Sequence, residues 1–153
     1  MRTAERIRYL ALAAQREGNR RLTIALRPLG LTPSQAEALR ILGDHAPMTL
    51  TDVGRMLVCE AGTNPSRIVD RLVEAAYVDR VTDLDDRRRV TLHLTGTGAE
   101  LERRVRDIEN QMYDQLDLAF ADSDTAVLIT QLERMVAGSP AGSALEERIA
   151  AER

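Results

Sequence analysis

Leu50-Thr51-Asp52-Val53-Gly54-Arg55-Met56-Leu57-Val58, followed after a loop of small residues by Thr63-Asn64-Pro65-Ser66-Arg67-Ile68-Val69-Asp70-Arg71-Leu72, is the stretch whose reading decides the fold. In its first part Leu50, Val53 and Leu57 fall on one face, and Thr51 and Asp52 suit a helix start. Gly54 leaves room there for a second helix to come close. Thr63 or Asn64 can cap that second helix, and Pro65 is preorganised for its first position, so residues 63–76 read as helical. Ile68, Leu72 and Ala75, flanked by Val69 and Ala76, recur at helical spacing and form an inward stripe. Ser66, Arg67 and Arg71 lie on the opposite stripe.

Tyr77-Val78-Asp79-Arg80-Val81-Thr82 and Val90-Thr91-Leu92-His93-Leu94 are short, β-branched and partly alternating, which predicts two strands of a hairpin. Between them, Asp83-Leu84-Asp85-Asp86-Arg87-Arg88-Arg89 combines turn-forming aspartates with three successive arginines. The order helix, helix, hairpin is that of a winged helix-turn-helix. A helix has the width of a DNA major groove, and arginine offers a planar fork of donors that matches a guanine edge or a phosphate. The competing reading is a solvated helix whose arginines pair with Asp70 and Glu74. From Arg67 to Arg89 six arginines meet six acids, so any grip on DNA depends on where the charges stand and not on their sum.

These residues resemble the MarR family of bacterial transcriptional regulators. The resemblance is close over roughly residues 31–95 and extends to the flanking helices in pattern only. It is carried most specifically by Asp86-Arg87-Arg88, then Val90-Thr91-Leu92-His93-Leu94-Thr95 and Gly98, which are similar to the family's wing, returning strand and start of a long helix. Arg67-Ile68-Val69-Asp70-Arg71-Leu72 and Tyr77-Val78-Asp79-Arg80 resemble the end of its recognition helix and the strand after it. The resemblance implies DNA contacts from Thr63, Asn64, Ser66, Arg67 and Arg71 in the major groove. It implies a wing in which Asp86 holds Arg88, beside Arg87, for the minor groove. Two positions depart from the family pattern: Ala76 stands where a helix-ending glycine is usual, and Asn64-Pro65-Ser66 replaces a start richer in Ser and Thr.

The 153 residues suffice for one domain-sized unit with a core, and 44% hydrophobic content with one Phe and no Trp predicts a helical protein packed by Ala, Leu and Val. All 21 basic residues are arginine, so arginine abundance by itself says nothing about DNA. The net charge of −3 is unevenly spread: residues 1–27 hold seven arginines against two acids, and residues 100–153 hold six against twelve. No stretch has the apolar length of a membrane span and the N-terminal stretch lacks the apolar core of a signal peptide, which predicts a cytoplasmic location. Cys59, His45 and His93 show no ligand spacing, so no metal is expected, and the lone Cys59 reads as a small buried apolar residue. Redox-sensing members of the resembled family carry their reactive cysteine near the N-terminus, where this chain has none. Phosphate-loop, dinucleotide-binding, nucleophile-elbow and zinc-protease motifs are absent from the sequence, and neither an enzyme activity nor a cofactor is expected.

The two ends read as assembly elements. Ile7, Leu10, Ala11, Ala14, Gly18, Leu22, Ala25 and Leu26 share one face of a helix over residues 3–29. Leu101, Val105, Ile108, Met112, Leu116 and Phe120 mark a helix of about 24 residues, some 36 Å long, opened by Thr95-Gly96-Thr97-Gly98 as a cap. Its Glu100–Arg104 and Glu102–Arg106 spacings predict solvated salt bridges. Residues 122–136 offer Leu128, Leu132 and Met135 for a third helix. Thr32 and Pro33 open the first helix of the three-helix core, which His45 and Ala46-Pro47 close. The fold class is therefore mainly α with a small β-hairpin: an N-terminal dimerisation helix (residues 1–30), a winged helix-turn-helix lobe (31–95), C-terminal dimerisation helices (96–137), and a tail (138–153). In that tail Gly138-Ser139-Pro140-Ala141-Gly142-Ser143 is linker-like, with either a short helix or disorder after it.

The expected function is that of a sequence-specific transcriptional regulator, a repressor binding a palindromic double-stranded DNA operator as a homodimer. The resemblance further implies a small aromatic or anionic effector in a crevice between the dimerisation helices and the lobe. The alternative is a winged-helix dimer used for protein–protein contact without DNA, because such folds do not guarantee DNA binding.

Overall fold

The computed structural model describes residues 1–59, 64–82 and 90–152. The chain opens with α1 (Thr3–Leu26), which gives way to a tight 3-10 turn at Arg27–Leu29, where Pro28 supplies no backbone donor. Then come α2 (Pro33–His45), α3 (Leu50–Met56), α4 (Pro65–Glu74), the strands β1 (Val78–Thr82) and β2 (Val90–Leu94), and the helices α5 (Gly96–Ala119), α6 (Thr125–Val136) and α7 (Pro140–Ala151). The predicted mainly helical winged fold is the observed one.

Local chemistry sets these starts. Thr32 accepts from Gln35 N and the Gln35 side chain accepts from Thr32 N, a reciprocal cap with Pro33 behind it. Thr49 and Asp52 do the same for α3, with Thr49 as the cap two residues before the Thr51 that the sequence offered. Strands β1 and β2 pair antiparallel in the register Val78↔Leu94 through Thr82↔Val90. Met48 adds a bridge to Leu92, whose amide donates to the Met48 carbonyl at 2.7 Å, so the hairpin is tied to the residue that leads into α3.

The core lies where α2, α3, α4, the hairpin and the first half of α5 meet. Leu39, Leu42, Val53, Leu72, Leu92 and Val105 are all essentially excluded from water there. Two close approaches lock it. A Cβ on Gly54 would stand 2.8 Å from Pro65 Cγ, so the close helix contact read from that glycine is present between α3 and α4. A Cβ on Gly98 would stand 1.9 Å from the Tyr77 carbonyl oxygen, and only glycine allows the root of α5 to sit against Tyr77, just past the end of α4.

Three readings are corrected. The linker-like stretch is helical from Pro140: Ser139 accepts from Gly142 N at 3.1 Å and donates to the Val136 carbonyl at 2.7 Å, the same cap-plus-proline start as Thr32-Pro33. Cys59 is exposed and not buried. Glu102–Arg106 is no solvated pair, because Glu102 is only 6% exposed and also receives Arg40 Nη1 at 2.6 Å. Arg40 reaches Glu109 at 3.0 Å, and Arg106 reaches Asp44 at 2.7 Å. The result is a charged cluster that joins α2 to α5. Loss of water raises the Glu109 carboxyl above its ordinary value, with Arg40 opposing.

Candidate nucleic-acid interface

The α4 helix presents two unlike faces. Ile68, Val69 and Leu72 are buried, while Arg67 and Arg71 are exposed. Ala75 and Ala76, expected on the inner stripe, are exposed because the helix ends at Glu74. Its end is a Schellman motif: Ala76 N donates to the Val73 carbonyl at 2.9 Å and Tyr77 N to the Leu72 carbonyl at 2.9 Å. This geometry needs a left-handed residue, and Ala76 adopts φ 57 where glycine would do so without a Cβ penalty. Thr95 reinforces the turn, since its hydroxyl donates to the Ala76 carbonyl at 2.8 Å and its amide to the Tyr77 carbonyl at 3.1 Å. The same hydroxyl accepts from Gly98 N at 2.9 Å, so the cap of α5 and the end of α4 share one side chain.

At the other end Asn64 is the N-cap. Its Oδ1 accepts both from Ser66 N at 3.1 Å and from the Ser66 hydroxyl. Asn64 and Ser66 therefore bond to each other at the helix start, and Arg67 and Arg71 are exposed along its outer face. Among the described residues neither arginine makes an ion pair. Asp70, which the solvated-helix reading assigned to them, instead accepts from Arg80 Nη2 on β1. That pair ties the helix to the hairpin. Thr63, Asp86, Arg87 and Arg88 lie outside the described residues, so the wing tip and the first expected contact are not placed.

Sequence reasoning missed Glu37. This α2 side chain is 7% exposed, and its carboxylate accepts from Val58 N and Cys59 N at 2.9 Å each. It satisfies two backbone donors left over where α3 ends, in the turn that leads to α4. Arg148 of α7 completes the group at 3.1 Å. The signal was present in the sequence: Glu37 stands between Ala36 and Ala38, in a 36–42 stretch of α2 whose only other charge is Arg40. Beside it the Cys59 thiol is pushed up to about 12, first by loss of water around the sulfur and then by the Glu37 carboxylate, with Arg148 opposing. The surroundings of the sulfur, and not the exposure of the whole residue, set this titration.

Among the described residues, no group of three or more His, Cys, Asp or Glu could hold a metal ion, and no helix is long and apolar enough to cross a membrane. Shallow grooves flank α5. One of about 480 Å³ is lined by Tyr77, Thr97, Leu101, Arg103 and Arg104, and one of about 310 Å³ by Arg21, Ile24, Ala25, Ile108 and Met112.

Residues 31–98 match the family of the winged helix DNA-binding domain. The uncharacterized HTH-type transcriptional regulator YcgE of Bacillus subtilis strain 168 is 29% identical over 122 residues, spanning 72% of this chain and 79% of that protein. The reduced form of MarR from E. coli shares 25% identity with a TM-score of 0.66, covering 84% of this chain and 94% of that one. MepR of S. aureus in its DNA complex has a TM-score of 0.76 at 22% identity, over 84% and 94% of the two chains, a likeness of fold.

Proposed function

We propose that this chain, which is similar to the winged helix DNA-binding domain family and to MarR, is a ligand-responsive repressor that binds a palindromic operator as a homodimer in the cytoplasm. The observation that carries this reading is the pair Arg67 and Arg71, exposed on the outer face of α4, while Asp70 is drawn away by Arg80. An arginine already neutralised by a neighbour would have to break that pair to read a base. These two need not.

In this reading α4 enters the major groove, and the segment with Asp86, Arg87 and Arg88 reaches the neighbouring minor groove, whose narrow A·T-rich stretches attract arginine. Residues 31–95 form the DNA-reading lobe, and residues 1–30 and 96–137 the dimerisation arms. The arms support a second copy because Ile7, Leu10, Ile24, Leu116, Ile129 and Leu132 all remain at least about half exposed in the single chain. A two-fold dimer implies half-sites about one helical turn, roughly 10 bp, apart. An effector that pairs a carboxylate with arginine while burying a ring would suit the apolar groove between α1 and α5, with Arg21 at its rim. Its action would be to change the spacing of the two lobes.

Selection of bound sequences from a random DNA pool tests the reading. A palindrome should emerge. On it, Arg67→Ala or Arg71→Ala should each cost roughly 1–3 kcal/mol and relax preference at one base position, whereas Arg88→Ala should lower salt dependence and discrimination in A·T-rich flanks. Asp86→Ala should share part of the Arg88 effect. If no sequence is enriched and all four variants match the parent, the protein-contact alternative takes over.

A further inference from the structure

The α7 helix is folded back against α3, although the dimerisation arm that precedes it is open to water. Ala144, 4% exposed, and Arg148, one turn later, share the face that meets the lobe. Arg148 does not bind a surface acid there. It reaches Glu37, whose two carboxylate oxygens already hold the amides of Val58 and Cys59. The chain of contacts runs from α7 through one guanidinium and one buried carboxylate to the amides of Val58 and Cys59, just past the end of α3 on the side of α4.

We propose that Arg148 is a positioning residue for DNA binding: through Glu37 it fixes the α3–α4 turn, so the C-terminal helix contributes to operator affinity without touching DNA and independently of dimerisation. This rests on the DNA-binding reading above. The physical reason is charge compensation. A carboxylate as buried as Glu37 accepts two neutral amides readily, but its negative charge is matched only by Arg148 among the ion pairs of the described residues. Without that match the carboxylate gains by turning toward water, and the amides of Val58 and Cys59 lose their acceptor. The turn then samples more positions, and α4 docks into the groove from a broader ensemble.

The test uses the full chain with Arg148→Ala and Arg148→Lys, the DNA selected by the parent, and three readouts. These are operator affinity, sedimentation, and hydrogen exchange of the Val58 and Cys59 amides without DNA. The alanine variant should bind operator roughly tenfold more weakly, with exchange at those two amides faster by a similar factor and sedimentation unchanged. The lysine variant, which keeps the charge, should recover most of both losses. Parental affinity in Arg148→Ala overturns the proposal and leaves the DNA-binding reading standing. So does a loss of affinity accompanied by dissociation of the dimer, with the two amides still protected. A parent that selects no DNA overturns the reading of the interface and the role of Arg148 together, and unchanged exchange at Val58 and Cys59 would show that the strut itself is absent.

Discussion

Leu72 on α4 and Leu132 on α6 both belong to apolar helical stripes, yet the first is 0% exposed and the second 48%. The lobe closes its core within the single chain: α2, α3, α4, the hairpin and the root of α5 meet there, and Leu26 at the end of α1 is buried against them. The arms do not. The α6 helix has no buried residue, and the outer half of α5 leaves Tyr113, Leu116 and Leu118 open. The same residue type is thus a completed contact in one region and an unmet one in the other, and a substitution reads out differently in each.

The largest effect should come from the completed side. Leu72→Ala is expected to lower unfolding stability by about 3–4 kcal/mol, measured by urea titration, and by the same amount at every protein concentration. At the joint between the two regions, Glu102→Ala should cost about 3 kcal/mol, because Arg40 and Arg106 lose the nearly buried carboxylate they share. A loss below about 0.5 kcal/mol there would place the cluster with ordinary surface pairs. On the unmet side, Leu132→Ala should leave the single chain nearly as stable as before but raise the dimer dissociation constant roughly tenfold in sedimentation. A concentration-independent loss of stability would instead mean that α6 packs within its own chain.

Two smaller predictions concern the turns that frame α4. Ala76→Gly should stabilise the protein by about 1 kcal/mol, since it removes a Cβ from a left-handed residue. Cys59, though exposed, should react with iodoacetamide at pH 8 roughly 10³-fold more slowly than a free thiol, because at a pKa of about 12 almost none of it is thiolate. Its rate should climb with pH well beyond 9. The sign for stability follows: the folded chain favours the neutral thiol, so this contribution is complete below the unfolded thiol pKa near 8.5 and is lost as pH rises toward 12. A fast reaction at pH 8 would show that the sulfur does not face Glu37.

The reach of the sequence divides along the same line. The helix starts at Pro33 and Pro65, the hairpin strands and the 24-residue α5 were legible because local chemistry specifies them, a polar cap before a proline or an alternation of β-branched residues. Ala76 was legible too, as a departure whose strain is now visible in its φ. What stayed hidden was long-range. Ser139-Pro140 carries the same start signal as Thr32-Pro33, but the surrounding Gly and Ser made it read as linker, and its partner, α3, lies some ninety residues earlier. Glu37 with Val58 and Cys59, Arg40 with Glu102, and Asp70 with Arg80 are pairings created by the fold, and no spacing within one segment announces them. For the candidate site, helical periodicity set Arg67 and Arg71 on the outer stripe of α4, and the structure has both exposed there. Asn64 and Ser66, also offered to DNA by the sequence, meet at the start of α4, where Asn64 Oδ1 accepts from the Ser66 amide and hydroxyl.

The missing Cβ at Gly98 has a mechanical meaning. With the Tyr77 carbonyl filling the space a side chain would need, and Thr95 bonded to both Ala76 and Gly98, the root of α5 and the end of the recognition segment move as one piece. The helix rising from that root is 24 residues long, about 36 Å of stiff rod at 1.5 Å per residue. A lever of that length turns a displacement of about 3 Å at its far end into a tilt of about 5° at its base. A shift of about 3 Å at the outer end of α5 would thus re-aim Arg67 and Arg71 by about 5° if the root moves rigidly with α4.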